Sequence, residues 1–381
     1  MGAISVLMPA LVEDIAPDQK VALVGVLGIA GAALSLFTNI VFGALSDMTR
    51  TRWGARAPWM LGGSIVGALA MYVFGTADSV TELTVWWCIY MVALNAIIAP
   101  MVAEISDRVP VERRGTVSAL YGVGIVIGSA ISLTMASMFV PNPGAGLTLF
   151  AVMTLMSALV FIAVAPRTNN KDEVREKLSR QQFLRSFRLP TKGARDFYLA
   201  LFGKFFLVAG TYAVSNYQLY ILTDYIKLEE DGAAKIIALN GIITLITALL
   251  FGFTSGPLSD RFGRRKPFVI ASAIVIAIGM LFPLLMPTAW AMVALCMFVG
   301  IGQGTFNAVD QALNIDVLPD KESAAKDLGI LNVANSGGQI LGPVIMSIVV
   351  TVTGGYVMGF VAAILLLIAS AVTLGAIRSV R

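Results

Sequence analysis

Long apolar blocks follow one another along almost the whole chain, and most are about 20 residues long. A helix of that length crosses about 30 Å of hydrocarbon, whereas the strands of a membrane barrel are short and alternate in hydropathy. Only 13% of the residues are charged, about half the share in a soluble domain. The pattern predicts an all-α membrane protein. Its eleven predicted spans are residues 21–45, 59–76, 83–105, 117–140, 147–165, 197–222, 233–255, 268–286, 289–315, 328–351 and 357–377.

A shorter apolar segment, residues 1–12, precedes these spans. It would extend only about 18 Å as a helix, which is too short to cross a bilayer. No Lys or Arg comes before Lys20, so the segment lacks the basic start of a signal peptide. We expect it to be the end of a first helix that is truncated at its N-terminus.

Basic residues concentrate in alternate loops. Only four of the 27 Lys and Arg lie elsewhere, at Lys20, Lys204, Lys227 and Lys235. Cytoplasmic loops carry the excess of Lys and Arg, so we predict a multi-pass protein of the cell membrane with both termini of the complete protein in the cytoplasm.

The longest basic segment, residues 166–195, divides the chain into two groups of spans. We predict an N-terminal bundle of helices 1–6 at residues 1–165 and a C-terminal bundle of helices 7–12 at residues 196–381. The basic linker between them is cytoplasmic. A solvated connector and a surface helix lying on anionic lipid both fit its charge.

Residue types that catalysis needs are scarce in this chain. Histidine is absent, which excludes histidine-based triads and metal sites, and no nucleophile elbow or Walker loop is present. Cys88 and Cys296 both lie inside apolar blocks, so they indicate neither a disulfide framework nor a metal motif. We predict that the protein is not an enzyme and uses no cofactor and no metal.

Two polar loops repeat each other about half a chain apart. The first reads "GALSDMTRTRWGARAP" and the second "GPLSDRFGRRKP". Asp47 and Asp260 are 213 positions apart, whereas Gly54 and Gly263 are 209 apart, so the first copy holds four extra residues. Two similar helical bundles in one chain are the internal symmetry of secondary transporters.

These loops resemble the G-x-L-x-D-x-x-G-R-R/K motif that the major facilitator superfamily carries between the second and third helices of each half. The first loop also resembles that of the glycoside-pentoside-hexuronide and sucrose-type sugar carriers. The resemblance implies two six-helix bundles and a latch that closes the cytoplasmic side in the outward-facing state, with a static topology anchor as the alternative. Physically, the glycines would let helices approach closely, and the aspartates would accept hydrogen bonds from a helix start and pair with arginine. The predicted cytoplasmic gate residues are Gly43, Asp47, Arg50, Arg56, Arg113, Arg114, Gly256, Asp260, Arg264 and Arg265.

Polar residues inside the spans are candidate binding groups, because ionisable groups are costly within a membrane. The resemblance implies that helices 1, 4, 7 and 10 line the solute cavity. In helix 10 of this chain, the spacing of the polar residues puts them on one helical face. Lys204 and Asp310 lie about 12 Å and 9 Å from the cytoplasmic ends of their helices, so we predict an ion pair with either a structural or a coupling role. The predicted substrate-cavity residues are Asn95, Lys204, Tyr212, Asn216, Gln303, Asn307, Asp310 and Asn314.

The coupling ion is constrained by helix 2. Sodium-coupled carriers of the melibiose branch have two aspartates one turn apart there, and the matching positions in this chain hold Ser35 and Asn39. A hard cation prefers carboxylate oxygens, so we expect that this sodium site is absent. Proton coupling would need Asp310 or Glu104, and uniport stays open.

The leading hypothesis is a secondary active transporter of a small organic solute, with sugars as the first candidates, working by alternating access. The alternatives are an exporter of amphipathic compounds and a non-transporting scaffold or sensor of the same fold. The Asn and Gln side chains favour a hydroxyl-rich solute. We expect a monomer in the lipid bilayer whose partners are the solute and, if transport is coupled, a proton; no nucleic-acid partner is expected.

Overall fold

In the computed structural model of the protein, residues 2–108, 114–164, 190, 194–317 and 324–378 are described. Helices are the regular secondary structure throughout these ranges. The first half begins with a π-helical turn at Ala3–Leu7 and a 3-10 turn at Pro17–Gln19 that flank the first α-helix. Its helices are α1 (Met8–Ile15), α2 (Lys20–Met48), α3 (Ala57–Phe74), α4 (Val80–Arg108), α5 (Arg114–Ser137) and α6 (Pro143–Val164).

Six further helices form the second half. The first of them continues, after a break, into a short helical turn at Gln218–Tyr220 and a π-helical turn at Ile221–Tyr225. The helices are α7 (Arg195–Ser215), α8 (Glu230–Phe262), α9 (Lys266–Leu285), α10 (Ala289–Asp316), α11 (Ala324–Thr353) and α12 (Tyr356–Gly375).

Each of the eleven predicted spans corresponds to one helix from α2 to α12. Within the described residues, ten helices are long and apolar enough to cross a membrane, and α5 adds a shorter apolar stretch at Val123–Ser137. Several helices extend past the predicted spans. For example, α8 has 33 residues and is about 50 Å long, because it continues beyond its apolar part into the following polar loop.

The chain divides into two compact units, Met1–Ser129 with Met138–Lys177, and Ala130–Ser137 with Leu178–Arg381. In the first unit α4 packs against α2 and α3, and α3 packs against α6. In the second unit α10 packs against α8 and α9, and α9 packs against α12. Adding six to each helix number converts one pattern into the other, as expected for an internal repeat. The boundaries predicted for the two bundles stay a prediction, and the linker at residues 166–195 lies outside the described residues except at 190, 194 and 195.

Close helix contacts in the second unit occur at glycines of α10. A Cβ added at Gly304 would collide with the backbone of Ala248 in α8, and one at Gly300 would collide with the side chain of Thr247. Small residues at such positions let helices pack tightly in a membrane. The close approach expected at Gly43 and Gly256 stays a prediction: among the described residues, an added Cβ would meet nothing within 4 Å at Gly43 and only Ala308 Cβ, at 3.9 Å, at Gly256.

Candidate functional site

A buried ion pair joins α7 to α10 in the second unit. Lys204 Nζ lies 2.6 Å from Asp310 Oδ2, and each residue is only 5% exposed. Asn314, one turn further along α10, donates from Nδ2 to the same carboxylate oxygen at 2.9 Å. The ion pair predicted from the depth of the two residues is therefore present, and Asn314 completes a three-residue network.

The backbone around this network is positioned by tight packing of α7. A Cβ at Gly203, next to Lys204, would lie 2.6 Å from Leu374 Cγ of α12, and Ser370 donates to the Gly203 carbonyl at 2.7 Å. Two buried charges lose hydration energy, which their mutual attraction offsets only when the geometry is good and further hydrogen bonds are made. The third group, Asn314, supplies such a hydrogen bond.

The other polar residues predicted on α7 and α10 differ in exposure. Gln303 is half-buried and Asn307 is exposed, and neither side chain makes a hydrogen bond to another described residue. Tyr212 is half-buried, and Asn216 lies at the C-terminal end of α7, where its N–H bonds to the Tyr212 carbonyl. Along the polar face of α10, the amides of Gln303 and Asn307 are thus accessible, whereas Asp310 belongs to a buried network.

In the first unit, Asn95 of α4 is buried and bonded to α2. Asn39 donates from Nδ2 to Asn95 Oδ1 at 3.2 Å, and Asn95 donates to the Met91 carbonyl at 2.8 Å. Sequence reasoning treated Asn39 only as the replacement of a sodium-binding aspartate and missed this contact. Ser35, the other such position, donates to Met91 Sδ at 3.8 Å. Among the described residues, no group of three or more acidic, Cys or His side chains could hold a metal ion.

The α2–α3 loop is held by a buried arginine. Arg56, at the start of α3, is 8% exposed; its Nη1 lies 2.5 Å from Asp47 Oδ1 and donates to Ser46 Oγ at 2.6 Å. Arg50 donates to the backbone carbonyl of Asp47 at 2.7 Å. Gly54 has a φ of +88°, a conformation that favours glycine.

The α8–α9 loop has a similar glycine turn but a different ion pair. Gly263 has a φ of +59° and ends α8. Arg265, at the start of α9, donates from Nη1 to Asp316 Oδ2 and to the Ala312 carbonyl, both at 2.8 Å. These contacts tie the start of α9 to the end of α10.

The predicted pairing of Asp260 with a loop arginine was wrong. Its carboxylate is exposed and makes no ion pair or hydrogen bond within the described residues. Eight residues, 49–56, separate α2 from α3 and can carry Arg56 back to Asp47, whereas only three, 263–265, separate α8 from α9. The described residues also include no hydrogen bond from a helix start to the side chain of Asp47 or Asp260, which we had expected.

The remaining gate residues divide into two groups. Arg264 is exposed, and its N–H bonds to the Ser259 carbonyl at the end of α8. Arg113 and the side chain of Arg114 lie outside the described part of the chain.

A family model of the Major Facilitator Superfamily matches residues 1–252 and 201–379 of the chain. The chain belongs to the major facilitator superfamily. This agrees with the all-helical fold, with the repeated packing pattern and with the glycine turn shared by both loops. The protein is therefore a multi-pass membrane protein.

Two curated relatives of this major facilitator protein match parts of it. A lactose permease from Lactobacillus delbrueckii subsp. bulgaricus is 25% identical over 259 residues, which make up 62% of this chain and 40% of the permease. An uncharacterized symporter, sll1374, from Synechocystis sp. is 48% identical over 48 residues, or 13% of this chain and 9% of that protein. The matched stretches thus span less than half the length of either relative.

Solved structures show the same fold over nearly the whole chain. The nucleoside transporter NupG matches with a TM-score of 0.74 at 15% identity, covering 99% of this major facilitator protein and 96% of NupG. A bacterial homolog of the human lysosomal transporter Spinster, in an inward-facing and unoccupied conformation, matches with a TM-score of 0.71 at 14% identity, covering 100% of this chain and 95% of that one. Identities this low establish a common fold only.

Proposed function

We propose that this protein is a secondary transporter that moves a small, hydroxyl-rich organic solute across the cell membrane by alternating access. The observation that carries the proposal is the buried network of Lys204, Asp310 and Asn314 in membrane helices of a major facilitator protein. Charged groups inside a membrane are costly and mark solute or ion pathways by default.

The solute class follows from the side chains near this network. Gln303 and Asn307, on the same helix, have amide groups that donate and accept hydrogen bonds and lie partly or fully exposed. Such groups suit sugars or nucleosides better than apolar compounds. The matched lactose permease supports sugars as the first class to test. We place Asn95, Lys204, Tyr212, Asn216, Gln303, Asn307, Asp310 and Asn314 in the solute cavity.

We further propose that the two arginine-bearing loops face the cytoplasm, together with both termini, and form the gate on that side. The excess of Lys and Arg in these loops supports this orientation. For coupling, we propose a proton rather than sodium, because Ser35 and Asn39 supply no carboxylate for a sodium ion. We assign the proton to Asp310, because it is the carboxylate of the buried network. Lys204 and Asn314 both contact this carboxylate, so a change in its charge would act directly on Lys204.

Uptake into proteoliposomes tests the proposal. Radiolabelled lactose, sucrose and uridine would be offered to purified protein with an imposed pH gradient, with a sodium gradient and with no gradient. We expect saturable uptake of one solute that the pH gradient drives above its equilibrium level. Saturable uptake that only equilibrates would show uniport and overturn the role of Asp310, and absence of uptake for all hydroxyl-rich solutes would overturn the solute class.

A further inference from the structure

A cavity of about 650 Å³ lies between α2, α3 and α4 of the first unit. Its lining is almost entirely apolar and includes Leu34, Phe42, Trp59, Gly62, Val66 and Cys88. A polar solute would lose its hydration there without gaining hydrogen bonds. The cavity is therefore unsuited to the solute proposed above.

The residues that line the cavity extend along α2 to its C-terminal end. Leu34 lies within α2 and Thr49 directly follows it, so the two are fifteen residues apart, or about 22 Å. One leaflet of a bilayer has about 15 Å of hydrocarbon depth, so the cavity is long enough to hold an extended acyl chain. Val66, on its wall, is 47% exposed, and its neighbour Ile65 is 51% exposed, so the cavity opens onto an apolar surface.

Gly62 leaves room along one side of this cavity. A Cβ added at Gly62 would meet nothing within 4 Å among the described residues, whereas one at Gly63 would lie 2.9 Å from the Ala93 carbonyl of α4. The two adjacent glycines thus have different roles. Gly63 lets α3 pack on α4, and Gly62 widens the cavity.

The loop end of the cavity carries polar and positively charged groups. Trp59 Nε1 donates to Thr49 Oγ1 at 2.7 Å, and both residues line the cavity. Arg50 and Arg52 belong to the adjoining loop, and neither forms an ion pair with a described acidic residue. The loop's one paired arginine is Arg56, with Asp47. Arg50 Nη1 donates to the backbone carbonyls of Asp47 and Thr49, and Arg52 is exposed. Two positive charges without an acidic partner among the described residues thus follow Thr49 in the loop at the polar end of the cavity.

We propose that this cavity is a binding site for an anionic phospholipid, with an acyl chain along α2 and α3 and the phosphate near Arg50 and Arg52. The acyl chain would contact the apolar lining of the cavity, and the phosphate would contact the basic loop that adjoins it. Basic residues near an anionic membrane surface each strengthen binding about fivefold. The site does not depend on which solute is transported.

Tryptophan fluorescence in reconstituted bilayers tests this site. Brominated phosphatidylglycerol or brominated phosphatidylcholine would be titrated into phosphatidylcholine bilayers that contain the full chain. The difference between the parent protein and Trp59→Phe isolates the quenching of Trp59. We expect quenching by phosphatidylglycerol to saturate at a low mole fraction and to exceed that by phosphatidylcholine several-fold. Quenching that rises linearly and equally with both lipids would show only bulk lipid contact and overturn the proposal.

Two variants with matched controls separate the acyl and phosphate parts of the site. Gly62→Leu should remove the saturable quenching, whereas Gly28→Leu, which also has open space around it but lies outside the cavity, should not. Arg52→Gln should lower the preference for phosphatidylglycerol about fivefold, whereas Arg261→Gln, in the last turn of α8, should leave it unchanged. Equal losses in variant and control would contradict the site, and size-exclusion profiles check that each protein is folded.

Discussion

Lys204 and Asp310 are 106 residues apart in the sequence, yet their charged atoms lie 2.6 Å apart inside the second unit. The pair is almost completely buried and shares its carboxylate oxygen with Asn314. A buried pair does not by itself establish high stability, because both charges lost their hydration. Removing one partner is much costlier than removing both, and this asymmetry makes the pair testable.

Lys204→Met should destabilise the protein by about 3–5 kcal/mol, because the Asp310 carboxylate stays buried without its cation. Adding Asp310→Asn should restore most of the stability. Thermal unfolding in detergent measures both effects, and Lys235→Met, at an exposed position, is the control. If the double variant is as unstable as Lys204→Met alone, the charge of the lone carboxylate is not the cause.

Loss of gradient-driven uptake in a stable double variant would support a coupling role, and normal coupled uptake would contradict it.

Asn240→Leu should leave stability unchanged or raise it by about 1 kcal/mol. The Asn240 side chain is 1% exposed, and neither its Nδ2 nor its Oδ1 has a hydrogen-bond partner among the described residues. A buried amide without partners carries a desolvation cost of about 1–3 kcal/mol, which leucine does not have. Asn314→Leu is the matched contrast and should destabilise, because it removes the hydrogen bond to Asp310. A lower unfolding temperature for Asn240→Leu would indicate a partner that binds this amide.

Arg56→Gln should cost more stability than Arg265→Gln, although the two residues are equivalent in the repeat. Arg56 is buried and bonded to both Asp47 and Ser46, so its loss leaves a gap and costs about 2 kcal/mol. The Arg265–Asp316 pair is 30% and 38% exposed, and such pairs contribute about 0–1 kcal/mol. Unfolding temperatures of the two variants, measured at low and high salt, give the comparison. Equal losses of stability would contradict the prediction that the more buried arginine contributes more.

Gly263→Ala and Gly54→Ala should each destabilise by about 1 kcal/mol, because their φ angles of +59° and +88° disfavour a Cβ. Gly28→Ala lies inside a helix with open space around it and should stabilise by up to about 1 kcal/mol. Chemical or thermal unfolding reports the sign of each change. The same sign for all three variants would contradict the left-handed turns.

Gly256→Ala separates a latch from a static anchor. Among the described residues, a Cβ there would meet only Ala308, at 3.9 Å, so we expect normal stability. Gly304→Ala, by contrast, forces α10 away from Ala248 and should cost about 1–3 kcal/mol. If Gly256→Ala transports at the normal rate, the glycine has no role in a moving latch. A slower rate in a normally stable variant would support one.

The helices were predictable because their signal is local. Apolar length identified all eleven spans, and a nearly constant offset of 209 to 213 residues identified the repeated loops. The Lys204–Asp310 pair was also predictable, because an unpaired charge is costly in a membrane and these were the two buried charges at similar depth.

Features that depend on side-chain direction were not predictable. The four-residue difference between the loops was visible, yet nothing local showed that Arg265 would reach Asp316 rather than Asp260. The Asn39–Asn95 contact joins residues 56 positions apart on two helices, and no pattern in either helix specifies it. Likewise, no motif in the sequence marked Gly300 and Gly304 as positions where an added Cβ would collide with α8.

One helix, α10, carries both the buried carboxylate of Asp310 and, at its C-terminal end, Asp316, which pairs with Arg265. The two residues are six positions apart, about 9 Å along a stiff rod. A displacement of α10 at Asp310 would therefore also displace the two groups that Arg265 binds, the Ala312 carbonyl and the Asp316 carboxylate. The buried ion pair and the contacts that tie α9 to α10 thus share one continuous helix.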